Sequence, residues 1–327
     1  MKQKKGEMHF LKNALQTLIK SGSLDMANLK AWISAARLRT LPLSISGALV
    51  GSAYAFHLGF FNTLIFSLII LTTLSFQILS NFANDYGDGI KGTDNESRIG
   101  PKRALQSGAI SPSQMRTAVA INALISAILS IALILVVFGL KQLFTAAVFV
   151  CLGGLSIYAA ITYTVGKSAY GYNALGDLMV FLFFGFLSVL GTFFLFTKQI
   201  EPWLFLPASS VGLLSAAVLN LNNMRDLESD RKSKKNTLAG YFGPKNSKVY
   251  HFSIVLLAII FMLVFVLVMP FSYTVFFSCL AFIPLLLHLK SVYYISNPKE
   301  YDPHLKTVAL STFTLALLFA LGIIFGQ

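Results

Sequence analysis

Charge is what this 327-residue sequence has least of: Asp, Glu, Lys and Arg together make up 12% of it. A soluble domain carries about 25%, so a chain with a water-facing surface all round is excluded. Acid is scarcer still, 13 residues against 26 basic ones. Cysteine occurs twice, as Cys151 and Cys279. Both fall inside apolar runs, where they read as small buried apolar residues and carry no information about a redox compartment. His57, His251, His288 and His304 are scattered, and none reads as a ligand. The apolar runs offer no obvious His or Glu base.

What fills the chain instead is apolar, 55% of all residues. A helix needs roughly 20 apolar residues to span a bilayer. Nine runs qualify, near 40–60, 61–82, 117–138, 143–163, 177–197, 203–221, 249–270, 271–289 and 307–326. The expected fold is therefore all-α, an integral membrane protein with nine transmembrane helices. The least certain boundary is Pro270, where two runs meet at a short turn. The first run begins too far in, and is too long, for a cleavable signal. Residues 1–28 read as a polar, basic amino-terminal extension with an amphipathic stretch from His9 to Lys20, and 29–327 as the membrane domain.

The basic residues are not placed at random. Lys141 and Lys198 apart, every Lys and Arg lies in the amino-terminal segment or in alternate loops between the runs. The positive-inside rule then puts the amino terminus and those loops in the cytoplasm and the carboxyl terminus outside. This is the inner-membrane topology of a bacterial multi-pass protein. The net charge of +13 is a topology signal, spread over loops, and does not call for nucleic acid.

Against so little acid, two clusters stand out. Asn84-Asp85-Tyr86-Gly87-Asp88 closes the second run, and Lys102 and Arg103 follow. Asn222-Asn223-Met224-Arg225-Asp226 closes the sixth, with Asp230 next and then Arg231, Lys232, Lys234 and Lys235. Each repeats Asn-x-x-x-Asp, a spacing that puts both residues on one helix face. Carboxylates at the end of a membrane-length run are costly unless a cation or a polar cavity holds them. Oxygen ligands of this kind suit Mg²⁺, which binds through a few carboxylates plus substrate phosphates. Trailing lysines and arginines would take the remaining phosphate charge. Acids and bases on one membrane face, with an apolar interior behind them, fit a diphosphate on a lipid tail. At the mouth of the first run, one of Arg37 and Arg39, by preference Arg39, is expected to face an anionic substrate, with snorkelling anchors as the alternative. Tyr163 and Lys167, four apart, can point the same way from a helix end. Asp177, at the start of the fifth run, reads as a cavity residue or a helix-dipole partner.

Asn84-Asp85-x-x-Asp88 and Asp226-x-x-x-Asp230 resemble the two aspartate-rich motifs of the UbiA superfamily of intramembrane prenyltransferases, and Tyr163-x-x-x-Lys167 resembles its Tyr-x-x-x-Lys motif. The resemblance covers the chain from about residue 32 to its end. It implies nine helices around a central cavity, Mg²⁺ at both acidic motifs, a prenyl diphosphate donor and an aromatic acceptor. Within the superfamily, Asn81 to Asp94, Arg98 to Arg103 and Asn222-Asn223-x-Arg225-Asp226 resemble the branch whose acceptor is 1,4-dihydroxy-2-naphthoate. That branch transfers a polyprenyl group with loss of CO₂ and diphosphate, on the way to menaquinone. Carried over residue by residue, Asp88, Asp226 and Asp230 hold Mg²⁺, with Asp85 a further ligand and Asn84 and Asn222 supporting. Lys102, Arg103, Lys167, Arg225 and Lys235 become candidates for the diphosphate. One departure stands: the general first motif has another Asp where this chain has Gly92, leaving Asp94 or Asp85 to replace it. The rival readings are a superfamily transferase with a different acceptor, and a secondary transporter. The transporter fits less well because hardly any charge lies at mid-span.

Overall fold

The computed structural model describes residues 29–326 except Ser97, together with the backbone but not the side chain of Arg39. The extension over 1–28 and its expected amphipathic stretch lie outside the described residues. Within them, regular structure is helical apart from one isolated parallel β-bridge between Asn173 and Asn236. The helices are α1 (Leu41–His57), α2 (Thr63–Ile90), α3 (Pro112–Phe138), α4 (Leu143–Thr162), α5 (Gly176–Thr197) and α6 (Pro202–Arg225). A short α7 (Leu227–Lys232) follows, then α8 (Leu238–Val268), α9 (Tyr273–Tyr294) and α10 (Pro298–Phe325). Eight of them are long and apolar enough to cross a bilayer. At 17 residues α1 is shorter, and a 3-10 turn at Leu38–Thr40 leads into it. Each of the nine apolar runs falls on one helix, and the turn at Pro270 does separate α8 from α9.

Local chemistry sets the ends. The Asn62 side chain accepts from the Ile65 amide (3.1 Å) and opens α2. Ser111 and Gln114 form a reciprocal capping box around Pro112, opening α3. The α8 helix is kinked at Gly243, whose φ of 72° only glycine adopts without strain, just before Pro244.

The bundle has an inside and a lipid side. Of the α6 span, 72% is buried, against 11% for α4, so α6 is the inner strut. It packs on α8, α5 and α10, while α1 packs on α10, α5 and α2, and α2 packs on α3 and α4. Gly185 of α5 and Gly212 of α6 face each other so closely that a Cβ on either would meet backbone at 2.5–2.7 Å. Small residues allow that approach, the usual device where lipid supplies no hydrophobic drive between helices. The middle of α5, Phe181–Gly191, winds as a π-helix. Outward faces carry Leu124, Ile128, Ile131 and Leu135 on α3 and Leu256, Ile260 and Leu267 on α8, all exposed. Such stripes belong in hydrocarbon, and the protein is a multi-pass integral membrane protein. Cys151 is exposed on the α4 surface and Cys279 half-buried, so neither is the buried apolar residue expected.

Candidate active site

The helices surround a cavity of about 450 Å³. Its inner part is apolar, lined by Leu43, Ile69, Leu133, Ile134, Phe149, Phe184 and Leu195. Its mouth is ionic, lined by Arg37, Asp88, Asp94, Arg98, Arg103, Arg225, Asp226, Asp230, Lys235 and Asp302. Neither His nor Glu lines it among the described residues.

The first acidic motif lies on the last turns of α2. Asn84 and Asp88 share the cavity face, as their spacing predicts. Asp85, one residue on from Asn84, points about 100° away. It is buried, with Oδ1 on Arg37 Nη2 (2.6 Å) and 3.7 Å from Arg103 Nε. The Asp85 carboxylate thus anchors two arginines that themselves line the mouth, and it does not face the cavity. Gly92 ends the helix with a φ of 71°, and the chain folds back so that the Thr93 amide reaches Asp88 O (3.0 Å). The turn brings Asp94 to the cavity wall, with Oδ1 on Arg98 Nε (3.1 Å) and Oδ2 buried and unpartnered. Burial pushes the Asp94 carboxyl above its ordinary range, and Arg98 only partly opposes this.

The second motif is split by a helix break at Asp226. Both Asp226 oxygens are held by Arg225, at 3.0 Å from Nε and 2.7 Å from Nη2, and Arg98 Nη2 lies 3.5 Å away. Burial pushes Asp226 up, but Arg225 outweighs it and the carboxyl stays below its ordinary value. Arg225 also donates to Asn222 Oδ1 (2.7 Å) and Asp302 Oδ1 (2.6 Å). Asp230, carried by α7, is different. Its Oδ2 is buried and unpartnered, and Oδ1 sits 3.8 Å from Lys235 Nζ. Burial pushes its carboxyl up to about 6, with Lys235 pulling the other way. The same ammonium is 3.8 Å from Asp88 Oδ2, so Lys235 bridges the two motifs. Burial alone would lower Lys235, but Asp88 and then Asp230 hold it above its ordinary value.

The structure brings together Asn84, Asp88, Arg103, Tyr163, Asn222, Arg225, Asp226, Asp230 and Lys235 around one mouth. It leaves others out. Lys102 and Lys167 are exposed and off the cavity wall. Lys167 is turned away because α4 stops at Thr162 and Gly166, with a φ of 94°, redirects the chain. Arg37 lines the mouth, whereas the sequence favours Arg39, whose side chain is outside the described residues. Asp177 is buried off the cavity, with Tyr250 Oη 3.4 Å from its Oδ1. The scattered histidines include a row, His251 Nε2 to His288 Nε2 (2.7 Å) and His288 Nδ1 to His304 Nδ1 (3.0 Å), with His251 and His288 buried and His304 half-buried, tying α8, α9 and α10.

Sequence reading missed four participants. Arg98 joins the two motifs, and Asp302 completes the Arg225 pair. Asn223 lines the wall, and Tyr172 stands behind Asp88 with its hydroxyl 2.7 Å from Oδ1. Arg98 and Asn223 stand inside the strings quoted above. Asp302 and Tyr172 carry no spacing signal.

As to a metal ion, the oxygen set fits Mg²⁺. Two buried carboxylate oxygens, on Asp94 and Asp230, have no partner among the described residues, and burial raises both groups. A cation would relieve both conditions. Among the described residues no three acidic or histidine side chains form a ready cage.

A multi-pass helical bundle with an ionic mouth over an apolar cavity defines a membrane protein whose site suits a molecule anionic at one end and apolar at the other. The chain belongs to the UbiA prenyltransferase family, whose model matches residues 44–317. It is 41% identical over 311 residues to a 1,4-dihydroxy-2-naphthoate octaprenyltransferase of Haemophilus influenzae, covering 94% of this chain and 100% of that protein. To the enzyme of the same description from Escherichia coli K12 it is 39% identical, covering 93% and 98%. To that of Mycobacterium tuberculosis it is 33% identical, covering 92% and 99%. In fold it is similar to the apo structure of a UbiA homologue from Aeropyrum pernix K1, with a TM-score of 0.65 at 17% identity over 87% of this chain and 97% of that one.

Proposed function

We infer that the protein transfers a polyprenyl group from its diphosphate to 1,4-dihydroxy-2-naphthoate, releasing diphosphate and CO₂. The observation that carries this is the cavity: acids and bases at the mouth, hydrocarbon inside, in a chain about 40% identical over its length to enzymes of that description. Those relatives are octaprenyltransferases by description, which makes an eight-unit donor the first to test.

In this reading Asp88, Asp94 and Asp230 would hold Mg²⁺, with Asn84 and Asn222 supporting. A bound ion would supply Lewis-acid stabilisation of the diphosphate leaving group. Lys235, Arg98, Arg225 and Arg103 take the remaining negative charge at fixed positions. Asp226 serves as the anchor that aims Arg225. The apolar wall from Ile69 to Leu195 holds the tail and keeps water from the allylic cation. The C–O bond to diphosphate breaks with its electron pair leaving on diphosphate, and the ring carbon that bears the carboxylate then gives a π pair to the allylic cation, forming the new C–C bond. That carbon carries no proton to lose, so CO₂ leaves with its bonding pair behind and aromaticity returns. No strong base is required at this step.

We place the mouth in the cytoplasm, on the distribution of basic residues, and count α1 with its 3-10 lead-in as a ninth span. A cysteine replacing Ser233 is then labelled only from the cytoplasm, and one replacing Gln199 only from outside. The reaction is tested with the purified protein, an octaprenyl diphosphate and carboxyl-labelled dihydroxynaphthoate. One CO₂ per prenyl group transferred is expected. A prenylated product that keeps its carboxylate would instead favour a related transferase that alkylates a neighbouring carbon.

A further inference from the structure

The α4–α5 connection does more than join two spans. Residues 170–174 run beside the segment after Asp230, with the Asn236 amide donating to Tyr172 O (3.2 Å) and the Ala174 amide to Asn236 O (2.8 Å). This small bridge pins Tyr172 next to Lys235. The Tyr172 hydroxyl donates to Asp88 Oδ1 (2.7 Å) and stands 2.6 Å from Thr93 Oγ1, which can donate to it. Its ring lies 4.0 Å from Lys91 Nζ on one side and 5.6 Å from Lys235 Nζ. Tyr172 does not line the cavity. One side chain outside the site thus touches both groups that face each other across it, Asp88 of the first motif and Lys235 of the second.

The consequences differ for the two. With Oδ1 occupied by a hydroxyl, the Asp88 carboxylate cannot rotate freely, and Oδ2 is the oxygen presented to the site. A partner that fixes a carboxylate ligand typically matters 10–100-fold in metal affinity. The Tyr172 ring offers Lys235 a cation–π contact, with the ammonium 5.6 Å from the ring centroid. The ammonium then rests between Asp88 and Asp230, the place where charge must be supplied when no metal is bound.

We propose that Tyr172 is the positioning residue that couples the two acidic motifs: its hydroxyl orients Asp88 for the metal, and its ring parks Lys235 between Asp88 and Asp230. The proposal rests on the metal–diphosphate reading above. In Tyr172→Phe the ring stays and the orienting hydroxyl is lost. In Tyr172→Leu both are lost. Thr93→Val leaves Tyr172 in place and removes only the support of its hydroxyl.

The test uses the full chain in detergent, with Mn²⁺ binding read by electron paramagnetic resonance in the presence of inorganic diphosphate. Turnover is followed separately against Mg²⁺ and against donor. Tyr172→Phe should need about 10-fold more Mn²⁺ for half-occupancy, and saturating Mg²⁺ should restore its kcat. Thr93→Val should shift the same way by less. Tyr172→Leu should add a rise in donor KM, with acceptor KM unchanged in every variant. A merely structural role would lower kcat at all Mg²⁺ concentrations. That result, or a Tyr172→Phe titration superimposable on wild type, overturns the proposal. If Tyr172→Phe does not fold, the Thr93→Val titration decides. Wild-type protein that binds no Mn²⁺ with diphosphate would instead overturn the metal reading itself, so the two failures are distinguishable.

Discussion

The two acidic motifs look like copies in the sequence and are not copies in space. Each has Asn-x-x-x-Asp at the end of an apolar helix, Asn84 to Asp88 and Asn222 to Asp226. In the first, the aspartate at the repeat position faces the cavity with one oxygen on Tyr172 and the other toward Lys235. In the second, the equivalent Asp226 has both oxygens on Arg225. The second motif gains its open carboxylate from Asp230, one helical turn on, because α6 breaks at Asp226 and α7 carries Asp230 back to the wall. The first motif has Gly92 at that position and gains its open carboxylate from Asp94, around a turn that Gly92 itself makes possible. Each motif therefore ends with one buried carboxylate oxygen that has no hydrogen-bond partner among the described residues, reached by different backbone routes.

The largest effects should come from the acids closest to the clamp. Asp88→Ala and Asp230→Ala should each lower kcat by on the order of 10²-fold or more while the protein still folds, measured as product formation by purified variants of matched thermal stability. Equal losses would support a clamp shared by both motifs. Near-normal turnover of Asp88→Ala at low Mg²⁺ would break that picture.

Next in size is Asp94→Ala, expected to cost roughly 10-fold in activity and to raise the Mg²⁺ requirement. The informative partner is Asp94→Ala with Gly92→Asp, which restores an acid at the position the general motif uses. It should not recover activity. Gly92 is exposed, a Cβ there would meet nothing within 4 Å, and its φ of 71° is strained for aspartate. Recovery would show that the loop can refold into the motif's helical register.

Asp85 sharpens the comparison from another side, because it has no counterpart among the acids of the second motif. Asp85→Ala leaves Arg37 and Arg103 without their carboxylate. Removing one partner of a buried pair costs roughly 3 kcal/mol or more, and Arg37 is 18% exposed, which favours the low end. The expected outcome is a lowered thermal midpoint in detergent with an unchanged Mg²⁺ titration. A shifted Mg²⁺ titration would return Asp85 to the metal.

These contrasts mark what could be read from residues alone. The spans were legible because long apolar runs have few alternatives to membrane helices. Asn84, Asp88 and Asn222 were legible because a 3.6-residue period fixes who shares a face. Asp85 was misplaced because it is adjacent in sequence but a third of a turn away in direction. Tyr172 was invisible for a different reason: a loop-to-loop bridge carries it to Asp88 and Lys235, which are 84 and 63 positions away in the sequence. No local spacing encodes such a contact.

The smallest expected effect belongs to Lys167, which the Tyr-x-x-x-Lys resemblance makes one of the candidates for the diphosphate. Tyr163-x-x-x-Lys167 puts both side chains on one face only if the helix continues. It does not, since α4 ends at Thr162, Gly166 turns the chain, and Tyr163 alone lines the cavity. Lys167 is exposed, whereas Lys235 is buried between Asp88 and Asp230. A solvated lysine off the wall contributes little to a buried anion, because water screens it. Lys167→Ala should therefore keep kcat and donor KM within about twofold, the scale of an exposed substitution away from special features. Lys235→Ala should raise donor KM and lower kcat together, since it removes charge from the leaving-group side and leaves two carboxylates facing each other. Parallel donor titrations of the two variants check this. A Lys167→Ala donor defect as large as that of Lys235→Ala would mean that the α4–α5 connection closes over the mouth when donor binds and brings Lys167 to the diphosphate.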